Sequence, residues 1–170
     1  KQYHTRSQKR GIWDFRSLSI GCISPSQMSE QRFQPMWYHG GPNHENLVPK
    51  NLYGNTKYLD PIKISNKYAQ KLKDLNCDIV VCLSHLGFKY NNEKVSDIIL
   101  AKKSKNIDII IGGHTHTFLK KAVQVKNLDK KDVLINQVGY GGINIGKIDI
   151  HFKHNNNKKL IAKNSIFVKN

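Results

Sequence analysis

"CDIVVCLSHLGFKY", Cys77 to Tyr90, and "IDIIIGGHTHTFL", Ile107 to Leu119, decide the fold of this chain. Each begins as a short, continuous apolar run, the pattern of a strand buried on both faces in a parallel sheet. Each run then breaks into a turn that carries histidine, with His85 after the first and His114 and His116 after the second. Between them, "KVSDIILAKKS" (Lys94 to Ser104) puts Val95, Ile98, Ile99 and the stem of Lys102 on one helical face. Strand, helix, strand in that order is a βαβ unit, whose crossover is right-handed in nearly all cases.

The flanking sequence extends this α/β reading in both directions. Upstream, "LDPIKISNKYAQKLKDLN" (Leu59 to Asn76) offers Asp60 as N-cap and Pro61 as first helical residue. Ile62, Tyr68, Ala69, Leu72 and Leu75 follow at near-helical spacing, with lysines between them. Downstream, "KKAVQVKN", "DVLINQVG", "INIGKIDIHF" and "LIAKNSIFV" alternate apolar with polar residues. Turn signals separate these runs, so the tail reads as mostly antiparallel strands. Before Leu47 the pattern is lost. Residues 1–46 are rich in Gln, Ser, Arg, His and Trp, with one strand candidate at "SLSIGCIS", Ser17 to Ser24. The chain therefore divides into an unassigned segment, 1–46, and an ordered α/β segment, 47–170.

A chain of 170 residues is long enough to bury one hydrophobic core. Its formal charge of +16 would draw any polyanion or phosphorylated molecule. The charge, however, is spread as Lys beside Asn, as in "NNNKKLIAKN" (Asn155 to Asn164), rather than as an Arg stripe with aromatics. That pattern reads as a solvated surface, not a nucleic-acid face. Three cysteines, Cys22, Cys77 and Cys82, lack CxxC spacing and imply no disulfide framework or thiolate zinc site. Cys77 and Cys82, in or beside an apolar strand, read as buried free thiols. No run approaches the roughly 18 apolar residues of a membrane span. The basic opening "KQYHTRSQKRG" is not followed by the apolar core of a secretion signal.

In open α/β sheets, ligands gather beyond the carboxyl ends of the strands. Neighbouring strands lie about 5 Å apart, which would bring His85, His114 and His116 within reach of common metal ions. Gly112 and Gly113 suit a tight turn there. His114 and His116, one residue apart, would point differently and could serve two ions. His4, His39, His151 and His154 lack such a setting and read as surface residues.

At these residues the chain resembles the calcineurin-like metallophosphoesterases. The resemblance runs from "LVPKNLYGN" through "SHLG" and "GGHTHT" to "VLINQVGYGGINIGKIDI", over about Leu47 to Val168. It is to the carboxyl-terminal half of their catalytic domain, in the bacterial 5'-nucleotidase branch. The resemblance implies part of a four-layered α/β/β/α domain, with two divalent ions drawn from zinc, manganese, iron or cobalt. It assigns His85 and His114 to one ion and His116 to the other. It also implies hydrolysis of phosphate monoesters of nucleotides by water activated between two metals, and a periplasmic or exported location.

The family's Asp-x-His and Gly-Asp-x-x-Asp motifs have no counterpart in residues 1–46. "GGPNHEN" echoes a third motif, which would make Asn43 a metal ligand and His44 a catalytic group. Pro42, however, stands where the family has Gly. Without the bridging carboxylate, two adjacent dications would repel each other with little charge to offset them. The expectation is a chain that binds at most one ion well and turns over nucleotides poorly. The alternative is a catalytically dead metal- or nucleotide-binding half domain.

Overall fold

The computed structural model describes the backbone of residues 17–23, 38–39, 59–152 and 158–167, and the side chains of residues 59–150. One sheet of six strands organises these residues, in the spatial order β2-β1-β3-β4-β6-β5. Its members are β1 (Ser17–Ile23), β2 (Tyr38–His39), β3 (Ile79–Ser84), β4 (Ile109–Ile111), β5 (Val123–Lys126) and β6 (Asp132–Asn136). Two further strands, β7 (Asn144–Phe152) and β8 (Lys158–Phe167), form a separate antiparallel ribbon.

The expected βαβ unit is present. Strand β3 pairs in parallel with β4, with Val81, Cys82 and Leu83 opposite Ile109, Ile110 and Ile111. The tail is antiparallel at β5–β6 and β7–β8. Strand β6 is an addition to the expected pattern, because it also pairs in parallel with β4, aligning Ile109 with Leu134 and Ile111 with Asn136. The β5–β6 hairpin folds back so that its second strand lies between β4 and β5. Three strands thus run the same way, and their carboxyl ends lie side by side. On the other side of β3, the strand expected at Ser17 is β1, paired antiparallel with Leu18 opposite Ser84.

Successive side chains of a strand point to opposite faces, and each face here has its own partner. Val80, Cys82, Ile110, Val133 and Ile135 pack beneath two helices, α1 (Pro61–Asp74) and α2 (Asp97–Lys103). Ala69 comes from α1, Leu100 and Ala101 come from α2, and all three are fully buried. On the opposite face, Ile79, Val81, Ile109 and Leu134 meet Ile148 and Ile150 of β7. Helices, sheet and second sheet give three successive layers of a mixed α/β domain.

Helix α1 begins as its sequence dictates. The Asp60 carboxylate accepts hydrogen bonds from the Ile62 and Lys63 amides at 2.8 and 3.3 Å, and Pro61 occupies the first helical position. Leu75 departs from the expected face and is 66% exposed, because the helix has ended at Asp74. Helix α2 starts three residues later than its apolar pattern, with Ser96 as N-cap. Leu100 and Ala101 form its buried face, while Val95 and Ile98 pack at the margin.

Two cysteine expectations divide. Cys82 is a buried free thiol, and burial pushes its ionisation well above the ordinary range. Cys77 is instead disulfide-bonded, which corrects its reading as a free thiol. An odd cysteine count leaves room for one bond and one spare thiol.

Asp97, the first residue of α2, is fully buried. Burial raises its carboxyl from an ordinary value of 3.8 to about 7, against the opposing pull of a hydrogen bond from Ser84. A carboxyl that holds its proton more tightly when folded stabilises the fold fully below its unfolded value. That contribution is lost as pH rises from about 4 to about 7. Asp97→Asn, which cannot titrate, should remove this share of the pH slope in urea melts taken between pH 4 and 8. An unchanged slope would mean that the carboxyl is already ionised in the folded chain. Packing and capping should also separate in the same melts. Leu100→Ala should cost about 2–5 kcal/mol, and Asp60→Ala about 1 kcal/mol.

Candidate metal centre

The three parallel strands end in three turns that lie next to one another. Strand β3 runs through Ser84 into His85, β4 runs through Gly112 and Gly113 into His114, and β6 runs through Asn136 into Gln137. His85 and His114 meet there, their ring centres 5.1 Å apart with the planes inclined at 71°. This is the juxtaposition expected from the two motifs. The separation suits two ligands of one ion whose metal–nitrogen bonds are about 2.0–2.1 Å.

His116 goes elsewhere. Its ring stacks on Tyr140 at 5.0 Å, and Tyr140 in turn meets Phe118 edge to face at 5.7 Å. Among the described residues, no group of three or more His, Cys, Asp or Glu side chains surrounds one point. Asn43 and His44 lie outside the described residues.

The backbone carrying these histidines is unusual. His114 has φ of 72° and His116 has φ of 52°. Positive φ is uncommon for residues with a side chain, although His is among the types that adopt it more often. Such strained positions persist only where surrounding contacts over-determine them, and they gather at functional sites.

Those contacts come mainly from polar side chains. Gln137 is buried, and its Nε2 donates to the Gly113 carbonyl at 2.7 Å. Its Oε1 accepts from the Thr117 amide at 2.5 Å and from the Thr115 hydroxyl at 3.1 Å. One glutamine thus grips the second histidine turn at three places. Thr115 also ties the two turns together, because its hydroxyl accepts from the Phe88 amide at 3.0 Å.

The first turn is gripped by Ser84 and Asp97. The Ser84 hydroxyl donates to Asp97 Oδ1 at 2.5 Å and accepts from the Leu86 amide at 3.2 Å. The Asp97 amide donates to the Gly87 carbonyl at 2.8 Å. Both sides of His85 are therefore fixed.

The paired glycines have a different role from the one expected. Neither has positive φ, so conformational freedom is not what these positions require. The requirement is close approach. A Cβ at Gly112 would collide with Asp97 Oδ2, and one at Gly113 would come within 3.1 Å of His85 Nδ1. The glycines let the second turn lie directly against the first.

Sequence reasoning missed Asp97, Gln137, Thr115 and Tyr140. Asp97 offered one signal, a carboxylate set among the apolar residues of a helix expected to pack on a sheet. Gln137 offered another, since it follows a strand in the same way that His85 does.

No family model matches the chain. The snake venom 5'-nucleotidase of Naja atra is 35% identical over 99 residues, which is 58% of this chain and 18% of that protein. The trifunctional nucleotide phosphoesterase of Bacillus subtilis is 37% identical over 73 residues, 43% of this chain and 4% of that protein. The crystal structure of a 5'-nucleotidase precursor from Thermus thermophilus superposes with a TM-score of 0.56 at 26% identity. That superposition covers 65% of this chain and 23% of the other. The chain thus spans less than a fifth of the length of these curated relatives. Over the part that it shares with them, the chain is similar in sequence and fold to 5'-nucleotidases, which fits the metallophosphoesterase resemblance of its histidine turns.

Proposed function

We propose that this chain forms part of the catalytic domain of an enzyme that hydrolyses phosphate monoesters of nucleotides. The observation that carries the reading is the meeting of His85 with His114 across two parallel strand ends. The relatives matched over this segment are named for nucleotide hydrolysis.

In this reading His85 and His114 hold one divalent ion and His116 serves a second. Neutral imidazoles suit zinc, manganese, iron or cobalt. When bound, two such ions supply charge neutralisation at the phosphate and a water acidic enough to act as nucleophile near neutral pH. The protein's own part is to hold the ligands. Gln137 and Thr115 fix the His114 turn, and Ser84 and Asp97 fix the His85 turn. His116, exposed at the rim and backed by Tyr140, would then face the approaching phosphate ester. Asn43, as a further ligand, and His44, as the group that steadies the reacting phosphate, complete the assignment.

A second reading has its own support. The Gly-Asp-x-x-Asp motif that would supply a bridging carboxylate has no counterpart in residues 1–46. With neutral ligands alone, a second dication next to the first would be repelled. The chain would then bind one ion and act as a metal- or nucleotide-binding half domain. The disulfide at Cys77 also supports an oxidising, exported or periplasmic location for either form.

Metal analysis after dialysis against Mn²⁺, with phosphate release from AMP measured in parallel, tests the assignment. We expect about one equivalent of metal, lost in His85→Ala and in His114→Ala and kept in His116→Ala, with slow turnover. Two equivalents with brisk turnover would establish that residues outside the described set complete the centre. Unchanged metal content in both His85→Ala and His114→Ala would overturn it.

A further inference from the structure

Asp97 lies outside the histidine motifs, yet it touches both of their turns. Three contacts converge on it. Its Oδ1 accepts from the Ser84 hydroxyl, and its amide donates to the Gly87 carbonyl. Its Oδ2 lies so close to Gly112 that any Cβ there would collide with it. Ser84 and Gly87 bracket His85 in sequence, and Gly112 opens the turn that delivers His114. Asp97 therefore occupies the point at which the two turns meet, and no other described carboxylate does so.

The arrangement is costly in isolation. A buried polar atom without a partner loses hydration and gains nothing in return. Asp97 Oδ2 is such an atom among the described residues. An apolar residue at the start of α2 would avoid that cost and would still pack beside Leu100 and Ala101. It could not accept from Ser84, so the serine hydroxyl would lose the partner that orients it toward the Leu86 amide.

We propose that Asp97 is a positioning residue for the metal pair, one that sets the approach of His85 to His114 through Ser84 and Gly112. The proposal rests on the reading of His85 and His114 as ligands of one ion. Removing a partner that orients metal ligands from behind typically costs ten- to a hundredfold in metal affinity. Asp97 should follow that rule through the turns that carry the two imidazoles.

Zn²⁺ titration by calorimetry on the whole chain, together with hydrogen exchange of the Leu86 amide, separates the outcomes. Asp97→Leu should weaken zinc binding by tenfold or more and speed Leu86 exchange, while amides of α1 keep their protection. Asp97→Asn keeps an acceptor for Ser84 in the same place, and it should hold affinity within about threefold of the parent. If Asp97→Leu does not fold, Ser84→Ala removes the same link from the other side and should reproduce the loss. Zinc affinity unchanged in Asp97→Leu or in Ser84→Ala would overturn the proposal while leaving the histidine assignment intact. A parent chain that binds no zinc would overturn both.

Discussion

The site depends on the parallel alignment of β3, β4 and β6. Because these strands run the same way in adjacent positions, their carboxyl ends bring His85, His114 and Gln137 to one edge of the sheet. If β4 were antiparallel to β3, its histidine turn would sit at the far end of the sheet. The apolar runs that select parallel pairing, Ile79 to Leu83 and Ile109 to Ile111, are therefore as much a part of the centre as the imidazoles. They require cover on both faces, which α1 and α2 supply on one side and β7 on the other.

Alignment brings the turns together, but polar contacts set how close they come. Gln137, Thr115, Ser84 and Asp97 form a connected set of hydrogen bonds behind the histidines. Gly112 and Gly113 leave the space in which those contacts can form. Local conformation and packing are opposed here. His114 and His116 adopt backbone angles that residues with side chains rarely take, and the buried amide of Gln137 holds that turn through three bonds. A polar network of this kind is most valuable when complete, since burial makes each unmade bond expensive. Oδ2 of Asp97 is a buried side-chain atom left without a hydrogen-bond partner among the described residues.

Much of this was legible in the sequence. The Asp60-Pro61 start of α1 follows from local chemistry alone. Strands β3 and β4, the parallel pairing between them and the meeting of His85 with His114 follow from the period of the apolar residues and from βαβ topology. What stayed hidden depends on contacts distant in sequence. Strand β6 alternates as an antiparallel strand would, and only its insertion between β4 and β5 gives it a parallel neighbour. Asp97 and Gln137 look like ordinary helix and loop residues until the fold sets them behind the turns. Cys77 gave no sign of its bond, because pairing depends on a partner brought near by folding. The orientation of His116 could not be anticipated either, since the Tyr140 ring that stacks on it comes from a turn 24 residues further on.

X-ray absorption at the zinc edge, on the chain loaded with a single equivalent, tests the central claim most directly. The account predicts scattering from two imidazole rings with zinc–nitrogen distances of about 2.0–2.1 Å, one of them lost in His85→Ala and the other in His114→Ala. A shell with no imidazole contribution, or one that neither substitution alters, would contradict it.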